Sequence, residues 1–450
     1  MRIMRFPRSL AILAAAWLAF APAVAAAAGP GLIRDAEIES YLHDYTAPIF
    51  QAAGIDPASV HIYIVNDPRI NAFVAGGMNL FLHTGLLMRA QTANQVIGVI
   101  AHETGHIAGG HLVRTKDVQR AATIEAIVAM VLGIGAGIAS GQPGVAGAGV
   151  ATGPALAATQ MLQFTRTQEA SADAAGLGFL DATGQSARGM YEMFDILQKD
   201  SVLTGLGNPN PFLQTHPLTQ QRMAHIQQYM ATSPYTNAPL NPQLEEEQRR
   251  IRAKILGFTT PLEQVLKAYP DSDNSFAARY ARAIAWYRAA DMTKAVPAID
   301  LLIQEEPDNA FLKELKGQML FENGRTADSI AAYRLAVKLR PDSPLLRIGL
   351  AQSLIEMNQK DDNAEAIQHL EVATGLEPRN IQGWRFLTVA YGRNDQLPMV
   401  ALAQAEIAML QGDNKKAKEY ARRAQDGLSP GSPGALRAED ILFQIGQDDD

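Results

Sequence analysis

The chain contains no cysteine among its 450 residues, which excludes disulfides, thiolate metal ligands and a catalytic thiol. Any metal must therefore rest on histidine, aspartate or glutamate. Excess positive charge is lacking as well: the formal charge is −7, and −10 without Arg2, Arg5 and Arg8. A net-negative chain has no general attraction for nucleic acid phosphate, so no nucleic acid partner is expected. Glycine (36 residues) and proline (24 residues) are too scarce for a collagen-like or low-complexity chain. The apolar run Leu10 to Phe20 falls well short of the ~20 residues that a spanning helix needs. Preceded by the basic stretch Met1 to Arg8 and followed by Ala23-Val24-Ala25 and Ala26-Ala27-Ala28, it has the pattern of a cleavable secretory leader. Residues 1–28 are thus expected to be a signal peptide and the mature protein to lie in the periplasm.

What is present is ordinary for a folding chain, with 47% apolar and 19% charged residues over a length suited to about two to three domains. An opening helix is predicted near Ala36 to Ala53. Val60 to Val65 is β-rich and stops at Asn66-Asp67-Pro68. Two short extended segments, Asn71 to Val74 and Met78 to His83, flank Gly76-Gly77, so a small sheet is expected. Thr92 with Gln95 resembles a capping box and opens an apolar helix through Val96, Ile97, Val99 and Ile100.

That helix carries His102-Glu103-Thr104-Gly105-His106. Residues four apart on a helix lie on one face, so the two imidazoles can share a metal ion. Glu103, one residue on, points about 100° away and is placed as a general base rather than a ligand. His111 is the nearest further histidine, but nine residues beyond His102 an unbroken helix turns it to the opposite face. The metzincin spacing wants histidine at position 112, which is Leu112, although Gly109 matches that pattern's glycine and leaves a bent path open. His111 is read as a structural or outer-sphere residue. The third ligand is expected at Glu169, within Arg166 to Asp173, where Glu169 and Asp173 share a helix face. Two histidines and one carboxylate make a catalytic zinc site, and Asp173 can take the outer N–H of a ligand histidine.

These segments resemble the gluzincin peptidases of the HtpX and CAAX-prenyl-protease type, in which the zinc helix is followed by a Glu-x-x-x-Asp helix. Asn71 to Gly77 with Thr84-Gly85-Leu86-Leu87 resembles the strand pair before that family's zinc helix, and the likeness runs from about Asp35 to Ile226. The resemblance implies a zincin-like peptidase domain with one Zn2+ per chain, and Met78 to His83 as an edge strand on which a substrate could add. Thr215-His216-Pro217 with Arg222 also matches a family segment. It implies that His216 either stabilises the oxyanion or occupies the open zinc position in a latent form, against the plainer role of fixing a loop.

Ala121 to Ala158 is glycine-rich and nearly free of charge from Ile124 to Ile138. A cleft-covering hairpin and peripheral membrane contact are both open for it. Beyond the Pro-punctuated stretch Ser233 to Pro242, a charged helix Gln243 to Leu256 is predicted. Then Pro307-Asp308-Asn309 and Pro341-Asp342-Ser343 recur 34 residues apart, the tetratricopeptide period, with Pro270 and Pro378 at related places. Small and aromatic residues fall in register, among them Gly317, Tyr333, Ala336, Ala366 and Ala373. About four repeats are expected to stack as a solenoid whose concave face suits peptides or proteins.

The expected fold is mainly α: an α+β zincin-like domain with a small sheet (29–240), a linker helix (241–270) and a tetratricopeptide α-solenoid (271–445). The expected function is zinc endopeptidase activity in the cell envelope. His102, His106 and Glu169 would bind the metal, with Glu103, Asp173 and His216 in catalysis. The resemblance adds misfolded or misassembled exported proteins as substrates and outer-membrane assembly machinery as a partner of the repeats. The alternative is a chaperone or scaffold with a dormant zinc site.

Overall fold

A computed structural model describes residues 31–111, 164–204 and 210–448. The expected leader and the segment 121–158 lie outside the described residues. The first body begins with β1 (Leu32–Ile33), α1 (Ala36–Ala52), β2 (His61–Val65), β3 (Ala72–Ala75), β4 (Asn79–His83), α2 (Thr84–Arg89) and α3 (Ala93–Ala108). It continues with α4 (Arg166–Ala182), α5 (Arg188–Thr204), α6 (Pro211–Thr215) and α7 (Gln220–Thr232).

The sheet has the order β1-β2-β4-β3. The hairpin β3–β4 forms as expected, because Gly76 (φ 59°) and Gly77 (φ 93°) take left-handed conformations at its turn. β4 is not the edge, however. β2 docks parallel to its outer side while β3 pairs antiparallel on the other, so β3 is the last strand of the sheet; its four residues are buried and it packs against α3. Tyr63, Phe81 and Phe73 share one register line across three strands, with ring centroids 5.0 and 4.7 Å apart. Aromatic pairs across strands of this kind lock the register.

Helix α3 lies in the middle of this body, with every residue from Ala93 to His106 buried. Thr92 accepts from the Gln95 N–H, but the Gln95 carboxamide oxygen reaches the Gln91 N–H rather than closing the box. Two glycines let neighbours approach. A Cβ on Gly98 would stand 2.5 Å from the Met190 backbone of α5, and one on Gly105 would stand 2.5 Å from the Ala172 carbonyl oxygen of α4. α3 is therefore clamped between α4 and α5 at backbone distance, which sets the placement of side chains at its C-terminal end.

Helices α8 (Pro242–Thr259) and α9 (Leu262–Ala268) follow. α8 is more than a connector: Glu245 accepts from the Ala93 N–H at 2.9 Å, capping α3, and Gln248 donates to the Leu87 carbonyl at 2.9 Å. After it come five helical pairs, α10 (Phe276–Arg288) and α11 (Met292–Glu305), α12 (Ala310–Glu322) and α13 (Thr326–Leu339), α14 (Pro344–Met357) and α15 (Lys360–Leu376), α16 (Ile381–Arg393) and α17 (Leu397–Leu410), then α18 (Asn414–Gly427) and α19 (Pro433–Asp448). Neighbouring helices pack in sequence, giving the predicted solenoid. The Tyr333 ring fills the space left by two glycines, since a Cβ on Gly317 or Gly349 would meet it at 2.8 or 2.6 Å.

The first helices of these pairs do not present an empty face. Tyr280 of α10 donates to Glu37 at 2.7 Å, Phe311 of α12 meets Tyr41 edge-on at 6.0 Å, and Arg34 pairs with Glu377 at 2.7 Å. Lys254 of α8, 2% exposed, sits at 2.8 Å from Asp35 and 3.1 Å from Glu37. The start of the first body is thus wrapped by the solenoid. Among the described residues no helix is long and apolar enough to cross a membrane.

Candidate metal centre

The predicted metal residues meet at one point. α3 delivers His102 and His106. α4 delivers Glu169 in its first turn, its start fixed by a closed capping box in which Thr165 and Gln168 bond each other's backbone N–H at 2.9 to 3.2 Å. His216 arrives from the residue after α6. The Nε2 atoms of His106 and His102 are 3.2 Å apart, and His102 Nε2 is 3.3 Å from His216 Nδ1. Glu169 Oε1 lies 3.0 Å from His216 Nδ1 and 3.3 Å from His106 Nε2. Ligand atoms around a tetrahedral zinc with bonds near 2.0–2.1 Å are separated by roughly 3.3 Å, so this donor set fits one zinc ion. Three imidazole nitrogens and a carboxylate oxygen converging in a buried pocket are the donor types that bind zinc, which is the physical reason to assign a metal here.

All four side chains are fully buried. An aromatic wall keeps the centre dry: Phe164 stacks on His106 at 3.8 Å, Phe212 on His216 at 4.6 Å, and Phe194 meets His102 edge-on at 5.6 Å. Glu103, also fully buried, is not among the metal donors. Both its carboxylate oxygens lack a hydrogen-bond partner, and the nearer stands 3.5 Å from His216 Nε2. Burial raises its pKa against the pull of the nearby histidines. A carboxylate so placed is a ready proton acceptor.

Outside the donors lies an ionic frame. His102 Nδ1 is 2.9 Å from Asp173 Oδ1, and Arg222 holds Asp173 through Nε at 2.6 Å and Nη2 at 2.7 Å. The third nitrogen of Arg222 approaches Glu169 at 2.5 Å. Burial opposes ionisation of Asp173, yet the hydrogen bonds from Arg222 and His102 prevail and bring its pKa to about 2. Burial likewise pushes His106 down to about 2, so its imidazole is neutral, as a metal ligand must be. Glu169 is held well below the usual carboxylate range, because the surrounding histidines outweigh its burial.

Sequence reasoning brought together His102, Glu103, His106, Glu169, Asp173 and His216, and the fold places all six within this centre. It gave Arg222 no role, and it missed the wall of Phe164, Phe194 and Phe212. One signal for Arg222 existed: Thr219 caps α7 by accepting from the Arg222 N–H at 3.2 Å, which fixes the guanidinium in the first turn beyond His216-Pro217.

Residues 34–230 match Peptidase family M48. Most of the chain is similar to curated relatives, among them the following three. It is 25% identical over 422 residues to the putative beta-barrel assembly-enhancing protease of Vibrio cholerae, covering 92% of this chain and 85% of that protein. To the beta-barrel assembly-enhancing protease of Yersinia pestis it is 26% identical over 392 residues, or 85% and 78% of the two chains. The Escherichia coli K12 protein of that name is 25% identical over 425 residues, 92% and 84%. Residues 34–230 are therefore a Peptidase family M48 domain, the metallopeptidase part of a chain that resembles beta-barrel assembly-enhancing proteases over most of its length.

Proposed function

We propose that this protein is a zinc endopeptidase of the periplasm that cleaves misfolded or misassembled exported proteins, outer-membrane proteins among them, and that its repeats recruit substrate or assembly machinery. The observation that carries the reading is the buried four-residue donor set beside an unpartnered Glu103. His102, His106 and Glu169 would hold the metal, and a zinc ion there would supply Lewis-acid polarisation of the scissile carbonyl. Glu103 takes a proton from the attacking water and returns it to the leaving amine. Asp173, clamped by Arg222, keeps the His102 Nε2 lone pair turned inward. β3 is the terminal strand of the sheet beside α3, so an extended substrate would add to its backbone once the strand, buried in this structure, is uncovered. The N-terminal leader supports export, and residues 1–28 are removed in this reading. The relatives' names, which speak of beta-barrel assembly, support the assembly of barrel proteins as the process it serves.

His216 fills the fourth donor position, which favours the latent form over the oxyanion role. Substrate then enters only after His216 withdraws with α6. His216→Ala separates the two roles: a latent ligand predicts faster cleavage with looser zinc, an oxyanion donor predicts a loss of about 10²–10³, and no change in either removes both.

The complete burial of the centre favours a second reading, a chaperone or scaffold with a dormant zinc site. Metal content and cleavage of an unfolded protein, measured on wild type and Glu103→Gln, test the enzyme: about one zinc per chain with activity lost only in the variant is the result expected. Full cellular function in Glu103→Gln would instead favour the scaffold.

A further inference from the structure

The two histidines of α3 are held from outside by different chemistry. His102 turns its Nδ1 to Asp173. His106 turns its Nδ1 to Nδ1 of His111, 3.0 Å away, with the rings near perpendicular at 71° and 5.1 Å between centroids. His111 gets there because α3 breaks. Gly109 ends the helix, Gly110 takes a left-handed conformation at φ 61°, and the His111 N–H returns to the His106 carbonyl at 3.1 Å. The ring then fills the space that a side chain at 109 would take: a Cβ there would stand 2.6 Å from His111 Nε2 and 2.8 Å from Cε1. Continuous helical geometry turns His111 to the far side of the helix, but the break brings it back, to the outer nitrogen of His106 rather than to the donor cluster.

We propose that His111 is a positioning residue of the metal centre, accepting the Nδ1 proton of His106 and so holding that ligand's Nε2 lone pair toward the metal. The proton count requires one acceptor at this contact. His106 Nε2 faces the other donors at 3.2 and 3.3 Å and must be bare to bind a cation, so the single proton of its neutral ring sits on Nδ1. His111 Nδ1 is then the acceptor, and His111 carries its own proton on Nε2, against Gly109. Phe164 stacks on the His106 ring, leaving rotation within the ring plane as the freedom that His111 removes. One ligand thus has an anionic outer partner and the other a neutral one, and the neutral contact lies in a loop built by two glycines. This assignment rests on the metallopeptidase reading.

The test measures zinc affinity of the folded full chain by competition with a chromophoric chelator, together with the visible spectrum of the Co2+-substituted protein. His111→Leu should weaken zinc binding about 10- to 100-fold, as loss of an outer-sphere partner does, and change the cobalt spectrum. His111→Asn, whose Oδ1 can stand where Nδ1 stood, should restore most of both. Gly109→Ala, which displaces the ring while keeping His111, should mimic His111→Leu and serves if that variant fails to fold. Wild-type zinc affinity and cobalt spectrum in a folded His111→Leu overturn the proposal and leave His111 an anchor of the loop. A wild-type protein that takes up no zinc overturns the metallopeptidase reading and this inference together.

Discussion

Arg222 meets Asp173 as a two-pronged fork, Nε to Oδ2 at 2.6 Å and Nη2 to Oδ1 at 2.7 Å, while its third nitrogen donates to the Pro217 carbonyl at 3.0 Å and forms an ion pair with Glu169. A planar guanidinium joins the outer partner of one ligand to another ligand, so the positions of α3, α4 and α7 are coupled through a single side chain. The pair is almost wholly buried, where removing one partner leaves an uncompensated charge.

Arg222→Ala should therefore cost on the order of 3–5 kcal/mol of stability, read by urea unfolding of the zinc-free protein. Arg222→Lys should recover little, because a point charge cannot serve both carboxylates in the fork geometry. A loss below about 1 kcal/mol would show that water replaces the guanidinium.

Glu103→Gln should keep the fold and the zinc, since Glu103 is outside the donor group. Its cleavage rate should fall by about 10²–10⁴, the usual contribution of a general base. Unchanged turnover in the purified variant would assign the proton transfer to another group.

Glu314 of α12 faces Lys254 from α8, Asp35 before α1 and Glu37 within it. Burial is the main cause of a pKa pushed up to about 7; Lys254 opposes the rise and the two acids add to it. The folded chain then holds this proton at a pH where the unfolded chain has released it, so stability falls as pH rises from about 4.5 to about 7. Glu314→Gln should flatten that slope in thermal melts taken between pH 5 and 8. Asp173, held at about 2, acts in the opposite sense: its contribution is present at neutral pH and is lost as pH falls toward 2.

Gly105→Ala puts a methyl group 2.5 Å from the Ala172 carbonyl oxygen and must part α3 from α4. A destabilisation of about 1–3 kcal/mol is expected, with zinc released more readily because His106 and Glu169 sit on the two separated helices. A variant with unaltered zinc retention would mean that the helices slide without opening the centre.

The parts of this molecule that announce themselves in the sequence are the ones set by local geometry. His102 and His106, or Glu169 and Asp173, are legible because four residues make a helix turn. The repeats are legible because proline, glycine and alanine recur in register. The parallel pairing of β2 with β4 depends on contacts that no local pattern encodes, and it displaced the expected edge from Met78–His83 to β3. Lys254 lies in a helix that reads as solvated, yet it is buried because Asp35 and Glu37, more than 200 residues earlier, neutralise it. For His111 the sequence left a bent path open at Gly109 beside the continuous helix, and it is the left-handed Gly110 that takes the bent path and brings the ring to the outer nitrogen of His106.

The stretch from Arg34 to Tyr41 has consequences for anyone recombining these proteins. Glu37 is 1% exposed and shares its oxygens among Lys254, Tyr41 and Tyr280, while Arg34 is paired with Glu377 far along the solenoid. Grafting the repeats of one relative onto the peptidase of another would leave these groups facing strangers, with the buried Glu37 deprived of its Tyr280 donor and Arg34 of Glu377. A working hybrid has to inherit residues 34–41 from the parent that supplies the repeats, even though they open the peptidase.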